Sequence, residues 1–281
     1  MTPELDPALV ESAVRSALAE DLGAGGDITS AATIPADAQA IATFGARRAG
    51  VVAGLPLAEA AFRQVDPAVR FEYALRDGDR IAAGVIAARV SGNARAVLAA
   101  ERVALNYLCH LSGIATATAA LVAAVKHTKA ILLDTRKTTP GLRVLEKYAV
   151  ACGGGQNHRM GLYDAVLIKD NHVAVAGGTA AAIRAARAHA PGVKIEVEVA
   201  SLAELDQALT ERPDIIMLDN MTLADMREAV RRVGGRAKLE ASGNVTIETI
   251  RPIAETGVDY ISSGWITHSA PALDIGLDVV I

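Results

Sequence analysis

The sequence has few aromatic residues, few cysteines and no strong excess of charge. Aromatic residues make up 3% of its 281 residues, whereas 51% are hydrophobic, with alanine prominent among them. This composition predicts a packed core in which helices approach closely on small side chains. The net charge of −4 provides no general field that would attract nucleic acid or an anionic membrane. Any cationic binding site must therefore be local.

The two cysteines, Cys109 and Cys152, are too few for a disulfide framework or a four-cysteine metal site. We interpret both as reduced, buried thiols. Residues 1–21 carry acidic side chains early and lack the basic flank and apolar run of a signal peptide. No segment approaches the roughly 20 uninterrupted apolar residues of a membrane span. These observations predict a soluble, cytoplasmic protein that binds neither membrane nor nucleic acid.

The N-terminal part of the chain has the pattern of a small α+β domain. Apolar residues recur at helical spacing over residues 7–21, and turn signals then separate several short β-like runs. These runs are residues 40–44, 51–53, 71–75, 81 and 85–90. The pattern becomes helical over residues 94–125, with an expected interruption near Ser112 and Gly113. We predict that this helical stretch joins two domains.

The C-terminal part repeats a strand–helix unit, which predicts a parallel sheet. The expected strands are residues 131–136, 165–170, 194–199, 215–219, 237–242 and 260–264. Charged residues alternate with apolar ones in two of them, and charges on one face suit the interior and mouth of a barrel better than an open sheet covered on both faces. The sequence also lacks a dinucleotide-binding Gly-x-Gly-x-x-Gly motif and a phosphate loop ending in Gly-Lys-Ser/Thr. A barrel is therefore favoured.

Nearly every predicted strand ends in polar residues, where barrel enzymes place their chemistry. The cations cluster early, and several converging cations suit a substrate with more than one carboxylate. They are Arg136, Lys137, His158, Arg159 and Lys169. The alternative is a structural network of these cations with acidic residues, namely Glu196, Glu198, Glu240 and Asp170.

Later strand ends carry acidic and small residues. Glu198 and Asp219 are candidates for binding sugar hydroxyls or Mg²⁺. Ser242-Gly243-Asn244 and Ser263-Gly264-Trp265 allow backbone N–H groups to approach a phosphate, although a turn alone would also explain them. The six histidines show no zinc-site spacing. Together these patterns predict an enzyme that holds a small anionic substrate and a phosphorylated sugar.

Long motifs in this sequence closely resemble those of the quinolinate phosphoribosyltransferase family. The main block comprises residues 134–143, 146–150, 153–162 and 167–173. Supporting motifs are residues 26–29, 101–106, 110–116, 196–199, 217–220 and 240–244. The resemblance therefore spans nearly the whole chain in order.

The resemblance implies an α/β fold of the type II phosphoribosyltransferase kind, with an N-terminal open-faced α/β sandwich and a C-terminal α/β barrel. The implied domains are residues 1–112, completed by 269–281, and residues 113–268. The implied reaction joins quinolinate to phosphoribosyl pyrophosphate with Mg²⁺, releasing nicotinate mononucleotide, pyrophosphate and CO2 on the de novo route to NAD. The implied assembly is a homo-oligomer, at least a dimer, whose active site is shared across subunits.

The matching motifs also imply residue roles. Quinolinate would be bound by Arg136, His158, Arg159 and Lys169, next to Thr135, with Lys137 near the pyrophosphate. Glu198 and Asp219 would serve the ribose and the metal, directly or through water, and with Lys137 and Lys169 they form the expected catalytic set. Residues 242–244 and 263–265 would bind the 5-phosphate, and Arg102 would reach a neighbouring subunit's site. Asn244 departs from the family, where many relatives have a second glycine.

Three other functions stay open from the residues alone. A related phosphoribosyltransferase could act on another ring acid without decarboxylation. A Schiff-base aldolase could use Lys169 at its strand end, with neighbouring cations lowering the pKa of the amine. A barrel that binds a phosphosugar without catalysis is the third.

Overall fold

The computed structural model describes residues 4–280, which form two compact units. The first combines the described chain up to Ala119 with Leu145–Gly154 and the described residues from Ala270 onward. The second combines Ala120–Val144 with Gly155–Ser269. The first unit thus includes a short segment that the sequence analysis assigned to the barrel domain. The boundary expected after residue 112 stays a prediction.

The described chain alternates helices and strands. The helices are α1 (Pro7–Leu22), α2 (Ile28–Thr33), α3 (Leu55–Val65), α4 (Ala94–Val125), α5 (Arg143–Cys152), α6 (Asp170–Ala176), α7 (Thr179–His189), α8 (Leu202–Thr210), α9 (Leu223–Val233), α10 (Ile250–Ala254) and α11 (Trp265–His268). The strands are β1 (Gln39–Ala46), β2 (Gly50–Val51), β3 (Arg70–Tyr73), β4 (Arg80–Ile81), β5 (Ile86–Asn93), β6 (Ile131–Leu133), β7 (Val166–Ile168), β8 (Ile195–Val199), β9 (Ile215–Asp219), β10 (Lys238–Ser242), β11 (Tyr260–Ser262) and β12 (Ile275–Val280).

The first unit is built on an antiparallel sheet with the order β12-β1-β5-β3, as the short β-like runs predict. Phe44, Phe62 and Phe71 pack together beside it with ring centroids 5.9–6.0 Å apart, so few aromatics suffice to fill this core. Helix α3 was not predicted. Its first N–H groups are capped by a residue that is distant in the sequence. Asp77 accepts from Gly54 N at 2.8 Å and from Leu55 N at 3.1 Å.

Helix α4 is continuous, so the interruption expected near Ser112 and Gly113 is wrong. The glycine serves packing instead, since a Cβ at Gly113 would lie 2.8 Å from Ala272 Cα. Ser112 is buried, and its hydroxyl accepts from Ala53 N at 3.0 Å. By length and composition alone α4 could cross a membrane, but 56% of its most apolar window is buried within the protein, as in core helices of soluble proteins. Both cysteines are free thiols; Cys152 is buried, whereas Cys109 is half-buried.

The second unit contains a parallel sheet with the order β6-β11-β10-β9-β8-β7, which is the chain order of a barrel. All six predicted strands are present, β9 with the predicted bounds and the other five shorter, and the α/β class is confirmed. Ladders place Ser242 opposite Asp219 and Glu198 opposite Met217, so the carboxyl ends share one edge. Among the described residues β6 and β7 share no ladder, and Gln156 instead forms a parallel bridge with Leu133 of β6.

The opposite edge of this sheet is held by a half-buried carboxylate. Asp259 accepts from Leu239 N, Lys129 Nζ and Lys238 Nζ, each at 3.0 Å. Burial disfavours ionisation of Asp259, but these donors outweigh it and hold its pKa below the ordinary value of 3.8. Residues at this end of a barrel contribute to stability rather than to chemistry.

Candidate active site

A cavity of 340 Å³ opens at the carboxyl ends of the second unit's strands. Side chains in or directly after β6, β7, β8, β9, β10 and β11 all reach it, so the sheet closes around a common centre. The lining residues are Thr135, Arg136, Lys137, His158, Arg159, Leu167, Lys169, Glu198, Met217, Asp219, Glu240, Ser242 and Ser262. Polar and charged groups predominate in this set, so the cavity suits a charged ligand.

Two guanidinium groups form one side of the cavity. Arg136 Nε is buried and has no hydrogen-bond partner among residues 4–280. Arg159 donates to Ala165 O at 3.3 Å, and its pKa is lowered first by burial and then by the charge of Arg136. Two half-buried cations that repel each other, one of them with an unused buried donor, require an anion to offset their cost. A planar carboxylate fits the guanidinium fork.

The loop that carries the second guanidinium is anchored by two acidic residues, one buried and one exposed. Asp134, which is fully buried, accepts from Asn157 Nδ2 at 2.6 Å and from His158 N at 2.8 Å. Further along, Asp164 accepts from Met160 N at 2.7 Å and from Gly161 N at 2.9 Å. Because three of these four bonds use backbone N–H groups, they fix the path of the loop.

His158 lies against two carboxylates in the interior of the cavity. Its Nε2 is 2.9 Å from Glu196 Oε2 and 3.5 Å from Glu240 Oε2, and both carboxylates are buried. Burial lowers the pKa of His158, but hydrogen bonds with these carboxylates outweigh it and raise the pKa to about 10. Arg159 N lies 2.7 Å from Nδ1, which orients the ring with its Nε2 proton toward the carboxylates. Part of the predicted alternative, a network with acidic residues, is thus present inside the cavity.

Two further carboxylates face the cavity from neighbouring strands. The pKa of Glu198 is raised by burial and then by the charge of Asp219, while Lys169 opposes the shift. A cation bound beside Glu198 and Asp219 would offset the negative charge that disfavours ionisation of Glu198. Oxygen ligands of this kind fit Mg²⁺, which binds one or two protein carboxylates and keeps the rest of its shell for water and phosphate.

A second cavity of 500 Å³ shares lining residues with the first. Its lining residues are Thr135, Lys137, Asp219, Asn220, Ser242, Gly243, Asn244, Val245, Thr246, Ser262, Ser263, Gly264, Trp265 and His268. Gly243 has a φ of 106° and Asn244 a φ of 49°, in the left-handed region that asparagine tolerates. The asparagine found in place of a second glycine is therefore compatible with this tight loop, whose small residues leave room for a phosphate.

The structure brings fourteen of the fifteen predicted site residues to the walls of these two cavities. The exception is Arg102, which is exposed on α4 in the first unit. Sequence reasoning did not assign Glu240, Asn220, Ser262 or His268 to the site. Glu240 shares the inward-facing alternation of Lys238 and Ser242, which was an available signal, whereas nothing local marked His268.

The chain matches two family profiles that together span most of its length. Residues 27–112 match "Quinolinate phosphoribosyl transferase, N-terminal domain", and residues 114–278 match "Quinolinate phosphoribosyl transferase, C-terminal domain". Among curated proteins, the nicotinate-nucleotide pyrophosphorylase (carboxylating) of Mycobacterium leprae is 48% identical over 95% of each chain. The chloroplastic enzyme of the same name from Oryza sativa subsp. japonica is 45% identical, over 96% of this chain and 77% of its own.

A solved structure has the same fold over nearly the whole chain. The nicotinate-nucleotide pyrophosphorylase from Francisella tularensis superposes with a TM-score of 0.95 at 42% sequence identity. The match covers 99% of this chain and 98% of that one. Sequence and fold thus agree across both compact units.

Proposed function

This chain belongs to the quinolinate phosphoribosyltransferase family, and we infer that it transfers phosphoribosyl from 5-phosphoribosyl-1-pyrophosphate to quinolinate with decarboxylation. The products are nicotinate mononucleotide, pyrophosphate and CO2, and the reaction belongs to de novo NAD biosynthesis. The enzyme is a pentosyltransferase that corresponds to the carboxylating nicotinate-nucleotide pyrophosphorylases among its relatives.

The observation that carries this function is the pair of repelling guanidiniums, Arg136 and Arg159, with the unused Arg136 donor. Quinolinate has carboxylates on adjacent ring carbons and therefore needs several converging cations. Lys169 lines the same cavity and supplies a third cation. A ring acid with one carboxylate would leave part of this charge without a partner.

The site needs no protein nucleophile, because the pyridine nitrogen itself attacks the sugar carbon. The new N–C bond forms as the C–O bond to pyrophosphate breaks. Orienting the two substrates in this way is worth up to about 7–11 kcal/mol. Lys137 lines both cavities and is placed to neutralise the departing pyrophosphate.

Decarboxylation follows from the charge on the alkylated ring. Loss of the carboxylate next to the quaternary nitrogen as CO2 leaves an electron pair on that ring carbon, which the positive nitrogen stabilises. A proton must then be delivered to the carbon. We assign this to Lys169 or to a water that it holds, since its ammonium group lies in the cavity that would contain the ring.

Mg²⁺ is the proposed cofactor, held by Glu198 and Asp219 directly or through water. Support comes from the raised pKa of Glu198, which the neighbouring Asp219 charge helps to produce. When bound, Mg²⁺ would supply positive charge for the pyrophosphate oxygens. The two carboxylates are also placed to orient the ribose hydroxyls, which lie between the 5-phosphate and the reacting carbon.

The assembly and location are proposals as well. We propose at least a dimer in which Arg102 reaches the partner's site, because a cation exposed on α4 has no role in the cavities of the second unit. We propose that the enzyme is cytoplasmic. A chloroplastic relative shows that location varies within the family, so fractionation of the source cells is the relevant measurement.

A coupled assay tests the function directly. Purified protein is incubated with quinolinate, phosphoribosyl pyrophosphate and Mg²⁺, and nicotinate mononucleotide and CO2 are followed together. Equimolar, Mg²⁺-dependent formation of both is expected. Nucleotide without CO2, or turnover of nicotinate in place of quinolinate, would contradict the proposal and favour a different ring acid.

A further inference from the structure

Asn220 occupies a left-handed backbone position between two parts of the site. It follows the last residue of β9, and its φ of 50° lies in the left-handed region, which costs most residues about 1–2 kcal/mol. Its backbone N–H donates to Ser242 O at 2.9 Å, which ties the end of β9 to the end of β10. A non-glycine residue held in this conformation at a site invites a search for what its side chain does.

Both ends of the Asn220 amide are engaged by neighbouring residues of the second cavity. Its Nδ2 donates to Asp219 Oδ2 at 2.9 Å, and its Oδ1 accepts from Asn244 Nδ2 at 3.4 Å. The amide also packs against Gly243, where an added Cβ would lie 2.6 Å from Asn220 Cγ. One side chain therefore contacts a carboxylate proposed for metal and ribose and also the loop proposed for phosphate.

We propose that Asn220 is a positioning residue that sets the spacing between the Asp219 carboxylate and the phosphate-binding loop at residues 242–244. This spacing determines which length of phosphorylated ligand fits, and it suits a phosphorylated pentose that carries a pyrophosphate. Because its amide is used within the protein, it acts through Asp219 and Asn244 rather than on the substrate. This inference rests on the proposed function, since it concerns how the same site holds phosphoribosyl pyrophosphate.

Two substitutions at Asn220 test the contribution of the side-chain amide separately from that of the backbone conformation. Asn220→Gly keeps the left-handed backbone and removes both side-chain contacts. Asn220→Asp keeps an acceptor for Asn244 but replaces the donor to Asp219 with a like charge. Loss of an outer-shell partner of this kind costs about 10- to 100-fold in affinity or activity. We therefore expect either variant to raise the KM for phosphoribosyl pyrophosphate by at least about 10-fold, with the KM for quinolinate within about 2-fold of wild type.

A binding readout that needs neither metal nor turnover is available. Trp265 is the one tryptophan in the sequence and lines the same cavity, so its fluorescence reports ligand there. Titration with ribose 5-phosphate should give a clearly larger Kd for Asn220→Gly. The matched control is Arg212→Gly, a second left-handed position (φ 50°) that is exposed in the turn before β9, and it should bind and turn over as wild type does.

The outcomes are distinct. An Asn220→Gly enzyme with wild-type values for phosphoribosyl pyrophosphate and ribose 5-phosphate overturns the proposal. Equal losses for quinolinate and phosphoribosyl pyrophosphate do so too, because they indicate general disruption. If Asn220→Gly also lowers the Tm, the similarly sized Asn220→Asp variant decides the question. If wild-type protein forms no nucleotide, the proposed function fails, while the fluorescence titration still tests the role of Asn220.

Discussion

Replacing Gly264 by alanine should displace the side chain of Lys137 without disturbing the fold. Gly264 has φ −76° and ψ −23°, a conformation that alanine adopts freely. A Cβ built there would lie 2.7 Å from Lys137 Cδ and 3.2 Å from Thr135 Oγ1. The backbone of Lys137 is held by Thr267, whose hydroxyl donates to Lys137 O at 2.7 Å. The flexible part of the lysine must therefore move.

The expected loss of activity follows from the steric overlap between the new Cβ at position 264 and Lys137 Cδ. Carbon atoms settle at about 3.5–4.0 Å, so Cδ must retreat by about 1 Å. Misplacement of a reacting or orienting group by about 1 Å can cost 10²-fold in rate. We expect kcat/KM for phosphoribosyl pyrophosphate to fall by about 10- to 100-fold, with the free energy of unfolding lowered by less than about 1.5 kcal/mol.

A double-mutant cycle with Lys137→Ala provides the decisive comparison. Once Cδ is gone, the remaining close neighbours of the new Cβ are Thr135 Oγ1 at 3.2 Å and His268 Cδ2 at 3.3 Å, which need to move far less. The alanine should therefore add little to the loss caused by Lys137→Ala. Steady-state kinetics in both substrates and urea unfolding of all four proteins complete the measurement. Fully additive losses, or a Gly264→Ala enzyme with unchanged kinetics, would refute this account of the glycine.

Four further expectations follow from the site and its support. Arg159→Ala should raise the KM for quinolinate by about 30-fold or more, which is the loss expected for one charge-assisted contact. The KM for phosphoribosyl pyrophosphate should rise far less. Equal increases in both steady-state KM values would count against the assignment of Arg159 to quinolinate. Lys169→Ala should lower turnover strongly in the assay that follows CO2, and normal turnover would remove Lys169 as the proton source. Arg102→Ala protein mixed with Lys169→Ala protein should regain activity in verified mixed dimers, and no recovery would mean that each site is built within one chain. Asp259→Asn should lower the free energy of unfolding by about 1–2 kcal/mol at pH 7. Because the folded pKa of Asp259 lies below 3.8, the difference in stability between wild type and variant is present above that value and disappears as the pH falls through the folded pKa. Urea unfolding of both proteins at pH 7 and pH 3 would show this change.

Several parts of the fold were predictable because they depend on local pattern. The six parallel strands have apolar runs bounded by turn residues, and the charged alternation in two of them indicates the inward face. The same logic placed Glu198 and Asp219 on neighbouring strands, and the ladder between β8 and β9 confirms that neighbourhood. Strand-end position was thus enough to gather most of the candidate site.

Other parts depend on partners that are distant in the sequence. Helix α3 begins with the help of Asp77, which follows it by more than ten residues, so no local cap signal exists. In the sequence Gly113 resembles a helix breaker, but in the structure it allows Ala272 to pack closely against α4. The burial of Glu196 and Glu240 around His158 likewise requires three separate elements to meet. Local sequence propensity carries no information about contacts between residues that are distant in the sequence.

The one-residue bridge at Gln156 has a consequence for how this kind of enzyme can diverge. Where β6 and β7 would otherwise pair, the ring of strands is completed by a loop whose course depends on Asp134 and Asp164 rather than on a ladder. That loop carries His158 and Arg159, whereas the groups proposed for the sugar phosphate lie in or directly after the laddered strands β10 and β11. Changes in that loop can therefore alter two of the four groups proposed to bind the acid, while the groups proposed for the sugar phosphate keep their laddered support.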